Sequence, residues 1–351
     1  MSPGGSSGGE GAGVGFRASV LGIGTDIGGS VRVPAAFNNC YALRPSALRN
    51  PNLGLSGINP GQESIRGITG PHGQSLDDLE LFQRVLLDQS PWDIDTTLAP
   101  LPWRDVELPQ TLTVGILVDD GLVKPHPPVL RALETIRKKL KSAGIRTVDW
   151  HPYGHELGWS IISALYFPDG GERYRKEFAK TGEPALPLTE WAFGFARSQP
   201  LSIEDNWELN ATREAYRRDH HALMKQRGVD VILCPAYVGA GALQGTPRYW
   251  NYTAIWNILD LPALVMPSGC RCNKGLDVLD ATYEPRSEED RREWKACMSF
   301  ERFTKAEILT HGVDDPDLFH DFPIAVQLVG RRWGDEMLLK TGKVLEKATT
   351  Q

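Results

Sequence analysis

The sequence predicts an α/β fold, and three observations carry that reading. Residues 111–150 run strand, helix, strand: Thr111–Leu117 is an apolar run, Pro127 and Pro128 open a helix through about Ala143 that Gly144 stops, and Ile145–Trp150 is extended again. Such a unit is the building block of a parallel sheet. Val229–Pro235 is a second short apolar run, closed by proline, and reads as a buried strand. At 351 residues, with 41% hydrophobic and 23% charged residues, the chain has the make-up of a globular protein of one large domain or two ordinary ones.

Composition also narrows the function. A formal net charge of −6 offers no basic surface, so nucleic acid is not an expected partner. No apolar run approaches the roughly 20 residues of a membrane helix, and Met1–Gly4 lacks the basic-then-apolar start of a signal peptide. A cytoplasmic protein with reduced thiols is expected. Its five cysteines fall at 40, 234, 270, 272 and 297. Cys270 and Cys272 have no second pair at zinc spacing, so no metal site is expected. Asn210 and Asn251 open glycosylation sequons, which are silent without secretion.

The first 34 residues hold the densest signal. Gly4-Gly5-Ser6-Ser7-Gly8-Gly9-Glu10-Gly11-Ala12 is followed by Gly24-Thr25-Asp26-Ile27-Gly28-Gly29-Ser30-Val31-Arg32-Val33-Pro34. Glycine serves where backbone takes positive φ or presses against a ligand, and successive N–H groups in such turns make a concave site for negative charge. Ser30, at the end of that cradle, has the makings of a nucleophile beside its own oxyanion hole. A flexible linker would not run on into Asp26, Ser30, Arg32 and Pro34. Gly4–Gly8 also fits the G-x-S-x-G nucleophile elbow, but three preceding residues cannot make the strand that motif requires. Gly13–Ala18 fits a dinucleotide pattern without the strand and ribose-binding acid that support one.

The run GGSSGGEGA…GTDIGGSVRVPA resembles the signature of the amidase signature family of serine hydrolases. The likeness continues in Ala42–Ser46, Gly70–Leu79, Asp230–Pro235, Tyr252–Ala263 and Phe322–Gly330, and so spans the chain. It implies a single α/β/α domain over residues 1–351, with a large mixed β-sheet core flanked by helices. Carried over by position, Ser30 falls on the acylated nucleophile and Ser6 on the bridging serine, which follows a cis peptide bond in that family. The N–H groups of Ile27, Gly28, Gly29 and Ser30 fall on the oxyanion hole. Asp26 and Arg32 read as braces of the loop. The third member of the triad, a lysine, lies well upstream of the bridging serine in relatives. The resemblance therefore implies an N-terminally truncated amidase that lacks the segment carrying it.

The rest of the chain follows in order. Asn50–Gly61 reads as a surface loop. Ser75 is an N-cap with Asp77 and Asp78 in the first turn, and Leu76, Leu79, Phe82, Val85 and Leu86 form the apolar stripe of the helix it opens. His72, just before it, reads as a structural loop histidine rather than a base. Lys138, Lys139 and Lys141 read as solvated cations at a helix C-terminus. Residues 151–228 are mainly helical and rich in aromatics; Tyr166–Gly171 resembles a fungal acetamidase segment that could wall an acyl pocket. Asn257 is expected to tie backbone together. Glu284–Lys295 reads as a solvated charged insertion. A last helix is expected over Asp335–Lys347.

The resemblance implies hydrolysis of carboxylic acid amides through a Ser–Ser–Lys acyl-enzyme mechanism, with no cofactor. A small-molecule amide is the expected partner, and a homo-oligomer is an open option. Two alternatives stand beside it: a catalytically inactive remnant or incomplete gene model, and a non-catalytic partner that keeps the fold.

Overall fold

The structure is a computed structural model of the chain and describes residues 1–197, 199–278, 280, 282–296 and 319–350. Among the described residues, eight strands form one sheet: β1 (Leu21–Asp26), β2 (Tyr41–Arg44), β3 (Ile68–Gly73), β4 (Thr113–Ile116), β5 (Arg146–Asp149), β6 (Val231–Pro235), β7 (Ala263–Arg271) and β8 (Pro323–Val329). Their order is β1-β3-β2-β7-β8-β6-β4-β5. The expected strand–helix–strand unit is present as β4, α4 (Pro127–Ser142) and β5, with β4 parallel to both β5 and β6. The remaining pairs are antiparallel, so the sheet is mixed.

Helices cover both faces, because strand residues alternate between them. On one face Ile324, Val326 and Leu328 of β8 join Leu76 and Leu79 of α3 (Leu76–Asp88), Val129, Leu133 and Ile136 of α4, and Leu338 and Leu339 of α11 (Asp335–Thr350). On the other, Val329, Ala263 and Ile232 pack with α5 (His155–Tyr166), α8 (Ile203–Gln226) and α9 (Asn251–Ile258). Ala42, Val265 and Ala325 on that side meet Val14 of α1 (Gly8–Gly15) and Val33 and Phe37 of α2 (Arg32–Phe37). Between α5 and α8, α6 (Glu172–Thr181) and α7 (Pro187–Phe193) complete the helical stretch expected over 151–228. Among the described residues no helix is long and apolar enough to cross a membrane.

Several local expectations are corrected. The first glycine loop becomes helix α1 from Gly8 onward. Glycine is a poor helix former, but here packing overrides propensity: a Cβ on Gly11 would lie 2.6 Å from the Pro34 ring, and one on Gly15 would lie 2.3 Å from the Asn38 carbonyl. His72 lies on strand β3 rather than in a loop, because Ile68–Gly73 pairs with β1 along its whole length. Ser75 does cap α3, accepting from the Asp78 N–H at 3.2 Å. The buried face of α3 is Leu76, Leu79, Gln83 and Leu87, whereas Val85 is 56% exposed. Phe82, Val85 and Leu86 line an outward hollow of about 370 Å³ with Val20 and Leu21. Lys139 is not simply solvated, since it donates to the Thr349 carbonyl of α11. Within the charged segment, α10 (Glu288–Ala296) buries Asp290 and Glu293. Asp290 accepts the Lys124 and Arg286 N–H groups, so this segment docks rather than floats. Cys297 lies outside the described residues.

Candidate active site

The two serine-bearing segments meet at one end of the sheet. β1 ends at Asp26, opposite Ile68 at the start of β3, and Arg44 at the end of β2 pairs with Ala263 at the start of β7. Residues 27–31 turn the chain from there into α2, while Ser6 and Ser7 lead into α1. The Ser7 N–H donates to the Ser30 carbonyl at 3.1 Å. Ser7 Oγ accepts from the Thr25 N–H at 3.1 Å, which binds the first segment to β1 as well. Ser30 is half-buried and Ser6 exposed. The Gly5–Ser6 peptide is cis.

Behind the loop sits a fully buried polar cluster. Arg32 binds Asp26 at two points, Nε to Oδ2 at 2.9 Å and Nη2 to Oδ1 at 3.0 Å. Its Nη1 donates to the Thr253 carbonyl and Gln327 Oε1, at 2.9 and 2.8 Å. Asn257 accepts from Arg32 and donates to Asp26 at 2.8 Å. Asn257 therefore ties side chains together, not the backbone its sequence position suggested. Burial pushes the Asp26 carboxyl up, but the Arg32 charge and hydrogen bonds, with help from Arg44 and Asn257, outweigh it and hold the group at about 2. A permanent carboxylate there accepts the N–H groups of Gly29 (2.8 Å) and Val31 (3.2 Å).

That arrangement revises the expected donor set. Of the four N–H groups assigned to an oxyanion hole, the one at Gly29 is already committed to Asp26. Those of Ile27, Gly28 and Ser30 have no partner among the described residues. His72 is completely buried, with Nε2 2.9 Å from the Val31 carbonyl, and burial first of all holds its pKa down. A neutral imidazole donating to a backbone carbonyl is a brace, in line with the structural role expected for it.

Sequence reasoning missed the groups that pack over the loop from afar. Tyr166, at the end of α5, donates its Oη hydrogen to the Ile27 carbonyl at 3.3 Å, and Trp250 Nε1 donates in turn to Tyr166 Oη at 3.4 Å. Thr253 Oγ1 donates to the Gly28 carbonyl at 2.7 Å. Trp159, Trp191 and Phe195 ring Trp250 at centroid distances of 5.2, 5.4 and 5.3 Å. The only advance signals were the Tyr166–Gly171 and Tyr252–Ala263 motifs. Among the described residues no cluster of His, Cys, Asp or Glu could hold a metal ion.

Comparison with known proteins shows the family. The amidase family model matches residues 1–339. An amidase-family protein of Schizosaccharomyces pombe is 43% identical over 97% of this chain and 60% of its own length. The acetamidase of Emericella nidulans is 33% identical over 99% of this chain and 63% of its own length. Among solved structures, a fatty acid amide hydrolase superposes with a TM-score of 0.91 at 36% identity, covering 99% of this chain and 60% of that one. The chain thus spans about three fifths of the length of these relatives. With its two glycine–serine segments joined on one mixed sheet, the chain belongs to the amidase signature family.

Proposed function

We propose that this site cleaves carboxylic amides by acyl transfer to Ser30. Ser30 Oγ attacks the amide carbon, its proton passing to Ser6 Oγ as the Ser6 proton passes to a base. By resemblance that base is the lysine that precedes this stretch in relatives. The free N–H groups of Gly28 and Ser30, with that of Ile27, hold the oxyanion. The amine leaves with a proton returned along the same relay, and water then releases the acid from Ser30. No metal or organic cofactor enters these steps.

One observation carries the reading: the Ser7 N–H to Ser30 carbonyl bond of 3.1 Å, which seats the segment of Ser6 against that of Ser30 beside unpaired backbone donors. The names of the relatives point to small amides first and fatty-acid amides second. The aromatic group around Trp250 suits a flat or apolar acyl or amine portion. The test is labelling with a fluorophosphonate together with turnover of acetamide and acetanilide. Labelling and turnover that both vanish in Ser30→Ala support the assignment; turnover that survives the change refutes it.

A second reading, a partner that keeps the fold without turnover, is favoured by one feature. Phe16, Val20, Ile23, Leu81 and Val85 are all more than half exposed, and β1 is an edge strand. Tight association without amide hydrolysis would select it.

A further inference from the structure

The loop that carries Ser30 is held by every one of its carbonyls. Val33 N–H donates to Gly29 O at 2.8 Å, Ser7 N–H to Ser30 O at 3.1 Å, and His72 Nε2 lies 2.9 Å from Val31 O. Those three anchors come from α2, the Ser6–Ser7 segment and strand β3. The carbonyls of Ile27 and Gly28 are held instead by side chains distant in sequence, Tyr166 Oη at 3.3 Å and Thr253 Oγ1 at 2.7 Å. In a planar trans peptide the C=O and N–H point in opposite directions, so fixing the oxygen also aims the hydrogen. The oxygen that Tyr166 holds belongs to the peptide whose N–H is that of Gly28. Thr253 holds the following peptide, whose other end, the Gly29 N–H, is tied to Asp26.

We propose that Tyr166 and Thr253 are positioning residues for acyl transfer at Ser30: Tyr166 aims the Gly28 N–H at the developing oxyanion, and Thr253 locks the next peptide so that the turn cannot rotate away. The proposal rests on the assignment of Ser30 as nucleophile. Three further observations fit it. A Cβ on Gly28 would lie only 2.2 Å from Tyr166 Oη, and one on Gly29, where φ is +130°, would lie 2.1 Å from Thr253 Oγ1, so both glycines leave room for these hydroxyls. Burial, first among the influences on Tyr166, raises its pKa far above the ordinary 10.0, so the hydroxyl keeps its proton. Arg32 Nη1 holds the Thr253 carbonyl at 2.9 Å, joining this clamp to the Asp26 cluster.

The test measures the rate constant of Ser30 phosphonylation by a fluorophosphonate (kinact) and the half-saturating probe concentration (KI) for the parent protein and four variants. Tyr166→Phe keeps the ring and removes the hydroxyl. It should lower kinact by roughly 10- to 100-fold and leave KI nearly unchanged, since aiming a donor acts on the transition state rather than on binding. Thr253→Val should lower kinact in the same way, and Thr253→Ser should restore it, a rescue that a purely packing role would not give. Parent-like kinact in both Tyr166→Phe and Thr253→Val overturns the clamp, as does a loss that appears in KI alone. Labelling that persists in Ser30→Ala overturns the nucleophile assignment and the clamp with it. Should Tyr166→Phe fail to fold, the Thr253→Val and Thr253→Ser pair decides.

Discussion

Asp26 and Arg32 stand at opposite ends of the Ser30 loop and meet in a two-point ion pair at 2.9 and 3.0 Å, with both side chains at 0% exposure. Removing one partner of a buried pair leaves an uncompensated charge, which costs about 3–5 kcal/mol. Asp26→Ala should show a loss of that order in urea-induced unfolding, because Arg32 is left unpaired and the Gly29 and Val31 N–H groups lose their acceptor. A loss below about 1 kcal/mol would mean that the pair does not hold the loop.

The same carboxylate gives a pH signature. Its folded value of about 2 lies below the ordinary 3.8, so its contribution is complete above pH 3.8 and is lost as pH falls toward 2. Across that window the parent protein should lose stability that Asp26→Asn does not lose. Unfolding free energies of the two proteins measured over the window check this, and parallel curves would contradict it.

Ser6 is exposed, and its role in the proposed relay is chemical rather than structural. Ser6→Ala should keep the melting temperature while slowing fluorophosphonate labelling of Ser30 by roughly 100-fold or more, the scale of a lost proton-transfer group. An unchanged labelling rate would remove Ser6 from the relay.

Helix α1 supplies an internal control on packing. At Gly13 an added Cβ meets nothing within 4 Å, whereas at Gly15 it would sit 2.3 Å from the Asn38 carbonyl. Gly13→Ala should stabilise by about 0.5–1 kcal/mol through helix propensity, and Gly15→Ala should destabilise by about 1–3 kcal/mol through overpacking. Denaturation midpoints should shift in opposite directions; a shared direction would show that α1 does not lie against α2 this closely.

Much of the fold was legible because its signals are local. Pro127–Pro128 and Gly144 bracket α4, and the apolar runs at 113–116 and 231–235 are strands wherever they pair. α1 was not legible, since a run of glycines is helical only where a second helix needs its backbone close. The charge-rich stretch around α10 was read as solvated because no local pattern announces that Asp290 will be enclosed by Tyr283, Lys124 and Arg286.

The sequence by itself determined the family, the α/β class and the two serine-bearing turns, because glycine spacing and serine positions are written in order along the chain. Tertiary structure alone decided which backbone donors stay free. Asp26 takes the Gly29 N–H because Arg32, Asn257 and Gln327, drawn from three separate elements, converge where a carboxylate must stay charged. Tyr166 and Thr253 reach the loop across 139 and 225 residues of chain, a separation that no local pattern encodes and that only the packing of α5 and α9 over the sheet can close.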